Sequence, residues 1–419
     1  MLSQVRRREF IGLGIGGAAV VTLGTAFWDD LLGAAENRPL ARGPGYGPLG
    51  TPDENGIRLP PGFRSRLVAR GGEPVPGTRY EWHPASDGMA TFPLAGEDAS
   101  GSGAGFLLVS NSETFEGGAS AIRFGPRGTV EDAYRILSGT TQNCSGGGTP
   151  WGTWLSCEEV ESGLVWECDP RGRRTAVAHP AMGVFKHEAA AVDAHEKRVY
   201  LTEDLVDGGL YRYTPRRWPD LSAGLLEIAR VHGSGRVEWV EVPDPLAGRE
   251  RTRRQVRGSA RFMRGEGIWL DGGTLYMATT ADHRVHAYDT RRGRIKVIYD
   301  GLASREAPLL RVDQLTGSTA GEVFVCEDLA TDEIDIGLIT RDREVSRFLS
   351  VRGPQHERSE LTGVTFDPSG RRMFFASQRA FPQSDLEPGP GAIYEVTGPF
   401  RRSPTRRAEA AGPGAPAGG

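Results

Sequence analysis

The chain reads as short apolar runs cut at close intervals by acids, glycines and turn residues, and its middle keeps no helical period for long. The stretch "HEAAAVDAHEKRVYLTED", His187 to Asp204, is representative: an acid, an apolar run, a polar turn, a second apolar run, and acids again. The same unit returns in "GEGIWLDGGTLYMATTAD" from Gly265, in "DQLTGSTAGEVFVCED" from Asp313, and in "SELTGVTFDPSGRRMFFASQ", with Glu360 near its start. "NCSGGGTPWGTWLSCEE", Asn143 to Glu159, follows it too. Two strands and a tight turn use up such a unit, so its first and last polar residues return to the same end of a hairpin.

Asn143 and Glu158, Glu188 and Glu203, and Asp313 and Glu327 are marked pairs of this kind, each separated by roughly fifteen residues. Hairpins repeated around one axis describe an all-β fold, a six-bladed β-propeller over residues 57–399, with the marked residues around its central channel. The 58 glycines and 28 prolines, with no collagen period, fit a chain of many turns.

The ends differ from this body. Residues 1–35 carry Arg7-Arg8-Glu9-Phe10-Ile11 before a glycine- and alanine-rich run shorter than the ~20 residues a spanning helix needs. That pattern predicts a twin-arginine signal, the twin-arginine translocase as a partner, and an exported protein. Residues 36–56 read as a linker or surface arm, and 400–419 as a disordered tail. A formal net charge of −4 leaves no footprint for nucleic acid or an anionic membrane; the partner is expected to be a small molecule and the protein a monomer. Of the four cysteines, Cys157 and Cys168 could bridge a hairpin, whereas Cys144 reads as a buried thiol or a metal ligand.

Acids converging on one channel repel each other unless cations neutralise them. Oxygen donors in number favour Ca²⁺, Mg²⁺, Mn²⁺ or ferric iron, and the chain has no C-x-x-C or H-x-x-x-H spacing for structural zinc. A single thiolate among carboxylates selects a transition metal for part of such a site. Gly146, Gly147 and Gly148 read either as a nest of amides for an anion or as a plain turn. Asn143 either bonds a substrate oxygen or caps that turn. Lys186, Arg261, Arg264, Arg284 and Arg379 are candidates for binding an anion's oxygens, each standing near these motifs.

"NCSGGGTPWGTWLSCEE", followed by "FKHEAA", "YLTEDLVDGGLYRYTP", "GEGIWLDGGTLYMATT" and "FVCED", resembles the PhoX-type alkaline phosphatases over about Leu107 to Gln378. The resemblance implies a propeller with Fe³⁺ and Ca²⁺ in its channel, and hydrolysis of phosphate esters. It implies Cys144 as the thiolate ligand of iron and Glu158, with Glu159 beside it, as acidic ligands. Glu188, Glu203, Asp204, Glu266, Asp313 and Glu327 would complete the ring, and Asn143, Cys144 and Glu158 would be catalytic. Two departures stand out: Asn111-Ser112-Glu113 has serine where the family commonly has histidine, and Asp313-Gln314 stands where Asp-Asn is usual. The other readings open at this point are a calcium-dependent propeller lactonase or esterase, and a calcium-binding propeller without catalysis.

Overall fold

The computed structural model describes residues 45–94, 105–303, 307–382, 384 and 387–402. The predicted signal at 1–35 and the tail beyond Arg402 lie outside these residues. Among the described residues the helical elements are three short 3₁₀ turns, at Pro180–Met182, Thr252–Arg254 and Pro354–His356. None of the helices there is long and apolar enough to cross a membrane.

Everything else of regular structure is antiparallel sheet, arranged as six blades. Blade 1 runs from Ser86–Pro93 inside to Val130–Leu137 outside, and blade 2 from Asn143–Gly148 to Val177–Ala178. Blade 3 begins at His187–Asp193 and carries a fifth strand, Val237–Glu241; blade 4 runs from Gly265–Asp271 to Arg294–Asp300. Blade 5 begins at Val312–Gly317 and takes Ile57–Arg58 as its outer edge. Blade 6 has only three strands of its own, starting at Leu361–Phe366, and the N-terminal strand Arg64–Arg70 completes it against Ala392–Thr397. The six innermost strands pack on one another in cyclic order, and Leu361–Phe366 meets Ser86–Pro93 to close the ring.

This packing explains the apolar runs. A blade inside a ring is covered on both faces, so its middle strands lose the alternation of a half-exposed sheet. Phe106–Ser112 and Val323–Glu327 are buried at every position. Cys157 packs with Leu155, Tyr211 and Tyr213 toward blade 3, whereas Cys168 packs with Phe92, Leu107 and Trp154 toward blade 1. The two thiols therefore lie on opposite faces of blade 2, and both are free, so the bridge left open by their spacing does not form. Before the first strand, residues 45–56 lie along the ring, where Tyr46 meets Phe63, Phe348 and Phe400 edge-on and donates to Glu322.

Every innermost strand has the same irregularity near its start. The ladder slips between Ser86 and Met89, Asn143 and Gly146, His187 and Ala190, Gly265 and Ile268, Val312 and Leu315, and Thr362 and Thr365. Each slip is a β-bulge, which bends a strand and re-aims one side chain. Side chains of the preceding blade hold the bulges open: Asn111 Nδ2 donates to the Cys144 and Ser145 carbonyls at 3.1 and 2.7 Å. Thr202 does the same for the Glu266 carbonyl, and Thr362 for that of Ser86.

Candidate metal centre

The first residue inside five of the six bulges is an acid or the thiol: Asp87, Cys144, Glu188, Glu266 and Asp313. All are buried. Blade 6 breaks the series with Gly363 and supplies Glu360 from just before its strand. A second set stands one residue past the end of each second strand: Glu113, Glu159, Asp204 and Asp328, with Thr280 and Gln378 at the other two places.

These side chains form a continuous arc of four groups, each with ligand atoms within 4.8 Å of one another. Asp87, Glu113 and Cys144 make the first; Cys144, Glu159 and Glu188 the second; Glu188, Glu266 and Asp313 the third; Asp313, Asp328 and Glu360 the fourth. Consecutive groups share a residue, so Cys144, Glu188 and Asp313 are the bridging positions.

The electrostatics of the arc are severe. Burial, then the charges of Glu159, Glu266 and Asp313, drive the Glu188 carboxyl well above the usual range. Asp313 is raised by burial and Glu266, and the Cys144 thiol by burial and then Asp87 and Glu188. Asp87 is pushed up to about 7 by burial and by Glu113. Basic residues at the mouth relieve the outer set. Lys186 Nζ lies 2.7 Å from Glu159 and 2.9 Å from Asp204. Arg264 reaches Asp204 at 2.7 Å and Glu266 at 3.2 Å, Arg379 meets Glu360 at 2.7 Å, and Arg311 pairs with Asp328. Burial would raise Asp204, but Arg264 and Lys186 outweigh it and hold this acid below its ordinary value.

Glu188 receives no such help. Both oxygens of Glu188 are buried without a hydrogen-bond partner. A partnerless carboxylate in a dry site is costly, and a cation is the group that would satisfy it. The donor set, one thiol among buried carboxylates, has the chemistry of a cation cluster that includes a transition metal.

The expected ligands divide. Cys144, Glu159, Glu188, Asp204, Glu266 and Asp313 line the channel, although Asp204 is absent from the four groups and faces Lys186 and Arg264. Glu158, Glu203 and Glu327 are not brought there. Each pairs with the residue that opens the innermost strand, one position before the bulge, and faces into the sheet. Glu158 accepts from the amides of Thr141 and Leu164. Glu203 accepts from the Gly209 amide, the Tyr211 hydroxyl and Arg253, and Glu327 from the amides of Leu310 and Asp335. These three carboxylates tie loops to blades. Asn143 is likewise committed, accepting from the Gly118 amide and the Thr140 hydroxyl and donating to Ser156.

Gly146, Gly147 and Gly148 form neither a nest nor a turn but part of the innermost strand of blade 2. A Cβ on Gly147 would fall 1.9 Å from the Ala190 carbonyl, so the run lets two strands approach beside a channel cavity of about 330 Å³. Of the basic candidates, Lys186, Arg264 and Arg379 reach the arc, whereas Arg284 pairs with Asp300 and Asp282, and Arg261 is exposed.

Sequence reasoning missed Asp87, Asp328 and Arg311, and it marked Glu360 as a repeat acid and Glu113 in the Asn111-Ser112-Glu113 segment without making either a ligand. The signal for Asp87 was present: "SDG" stands to its strand as "HEA" and "GEG" do to theirs.

A search of curated proteins found no match to this chain. Among solved structures, a structural genomics protein of unknown function from Bacteroides thetaiotaomicron is similar at a TM-score of 0.49 and 10% identity, covering 80% of this chain and 76% of that one. An auxiliary nutrient binding protein from the same organism has a TM-score of 0.49 at 8% identity, with 80% and 76% covered. The RRP9 WD40 repeats have a TM-score of 0.45 at 8% identity, covering 84% of this chain and 100% of theirs. The family model described as "Alkaline phosphatase PhoX" matches residues 118–166 and 160–301, a span that contains Cys144, Glu159, Glu188, Lys186, Asp204, Arg264 and Glu266. The chain is a six-bladed β-propeller in which blades 2 to 4 match the model of the PhoX alkaline phosphatase family.

Proposed function

We propose that the protein is an alkaline phosphatase-like hydrolase of phosphate esters that works at a mixed cluster of ferric iron and calcium in the propeller channel. The observation that carries this reading is Glu188, a fully buried carboxylate with no partner that lies inside the matched span and bridges a thiol-containing group and an all-carboxylate group. Asp87, Glu113, Cys144, Glu159 and Glu188 would hold iron, the thiolate supplying the soft donor; Glu188, Glu266, Asp313, Asp328 and Glu360 offer the oxygen-only set that suits calcium. Bound cations supply charge neutralisation for the phosphoryl group and activation of water at neutral pH.

The chain's own residues orient the ester. Lys186, Arg264, Arg311 and Arg379 face the arc from the mouth and present N–H donors that suit phosphate oxygens. Burial disfavours the charge on Lys186, but Glu159 and Asp204 overcome that, so Nζ keeps its proton. The same reading takes the protein out of the cytoplasm by the twin-arginine translocase as a monomer acting on small phosphate esters.

Elemental analysis, a visible spectrum and a phosphate-release assay test it together. The purified protein is expected to carry iron and calcium, show a thiolate-to-iron absorption band, and release phosphate from an aryl phosphate. Cys144→Ala should lose the band and at least a hundredfold in activity. A colourless, calcium-only protein that opens lactones and releases no phosphate would replace this reading with the lactonase one.

A further inference from the structure

At the strand ends remote from the channel mouth, a groove of about 690 Å³ runs between blades 4 and 5. Thr274, Asp289 and Arg294, which pair with one another across blade 4, mark its depth at the end opposite Gly265 and Thr279. One wall comes from blade 3. Its extra strand is not required for a four-stranded blade, and the turn before it, Gly233–Gly235, bonds to the outer edge of blade 4. The Ile295 amide donates to the Gly235 carbonyl at 2.8 Å, the Val237 amide to that of Gly293 at 2.8 Å, and Arg294 Nη2 to that of Ser234 at 2.5 Å.

Five basic residues line this groove, Arg292, Arg294, Lys296, Arg341 and Arg343, against one acid, Asp289. Asp289 is already engaged by Arg292 at 3.0 Å. Among the described residues the other four cations have no carboxylate within ion-pair distance, and Arg343 Nε is buried without a hydrogen-bond partner. Several arginines elsewhere pair with acids across strands, among them Arg58–Glu333, Arg212–Glu227 and Arg372–Glu395. Like charges gathered without counter-charges repel, and a multiply charged anion relieves them. The volume is that of a small-molecule site.

We propose that this groove binds an inorganic oligophosphate, a ligand whose adjacent phosphates span several guanidinium and ammonium groups at once. Bidentate N–H donors and two or more linked phosphates are complementary in charge and geometry. The site is separate from the acidic arc and does not rest on the phosphatase reading.

The test is calorimetric titration of the full-length holoprotein with a nitrogen-bridged triphosphate analogue that resists hydrolysis, beside the Arg294→Glu/Arg341→Glu variant. The variant is expected to bind one equivalent fewer, while its rate of phosphate release from an aryl phosphate is unchanged. Equal stoichiometry and affinity in both proteins overturns the proposal, as does an analogue that fails to bind while phosphatidylglycerol vesicles do. If circular dichroism finds the double variant unfolded, Lys296→Gln and Arg343→Gln singly must each weaken binding at least threefold, and unchanged affinity in both overturns it. Absence of phosphatase activity would defeat the functional reading and leave this one standing on its stoichiometry.

Discussion

Glu188 and Glu203 stand on the two strands of one hairpin, both wholly buried, and their surroundings give them opposite tasks. Glu203 is held by Arg253, Tyr211 and an amide, whereas Glu188 has nothing. Glu203→Ala leaves a buried guanidinium and hydroxyl without their acceptor, so it is expected to destabilise the fold by about 3–5 kcal/mol in chemical denaturation. Metal content per folded molecule should stay constant. Glu188→Gln keeps the shape and removes the charge: bound metal should fall at least tenfold, and the chelated variant should melt higher than the chelated wild type. A sequence can mark both residues as hairpin-end acids, but it cannot tell them apart. The distinction depends on which of two adjacent residues faces the channel, and that is why Glu158, Glu203 and Glu327 were expected there while Asp328 was not.

At the scale of the strand, the deciding device is the bulge. The spacing of apolar runs was enough to read hairpins, because Asn143 does pair with Glu158 and an acid does close each of several units. The bulge has no such signature, since it inserts a residue that pattern alone counts as one more strand position. It demands close approach of neighbouring innermost strands, which Gly88 and Gly267 permit. A Cβ on Gly267 would lie 2.7 Å from Gln314 Cα and one on Gly88 2.5 Å from Ser145 Cα, both backbone atoms that cannot swing aside. Gly267→Ala is therefore expected to cost about 1–3 kcal/mol, read by thermal or chemical unfolding. It should also weaken metal binding, read by competition with a chelator, since Glu266 is carried on the same bulge.

At the scale of the whole molecule, the ring concentrates acid at its axis, and pH then acts on the fold as a whole. Asp87 titrates near 7 in the folded protein, above the ~3.9 of an unfolded aspartate. The raised Glu188, Glu266, Asp313 and Glu360 carboxyls act in the same sense. The unfolded chain gives up these protons first, so the metal-free fold loses stability as pH rises from about 4 through 7. Bound cations reverse the balance. Thermal melts at pH 5 and pH 8 should therefore diverge after chelation, with the lower melting point at pH 8, and converge when metal is restored. A chelated protein that melts higher at pH 8 would contradict this account of the channel.

The closure of blade 6 by Arg64–Arg70 also imposes an order in time. Asp87 comes early in the chain and Glu360 late, and they are brought around one axis only when Ala392–Thr397 has been made and has captured the N-terminal strand. Without that pairing blade 6 lacks its outer strand, and the ring is not closed between Glu360 and Asp87. Assembly of the complete cation site thus waits on a pairing between far-separated parts of the chain, and among the described residues the last strand gives a place to one of the first.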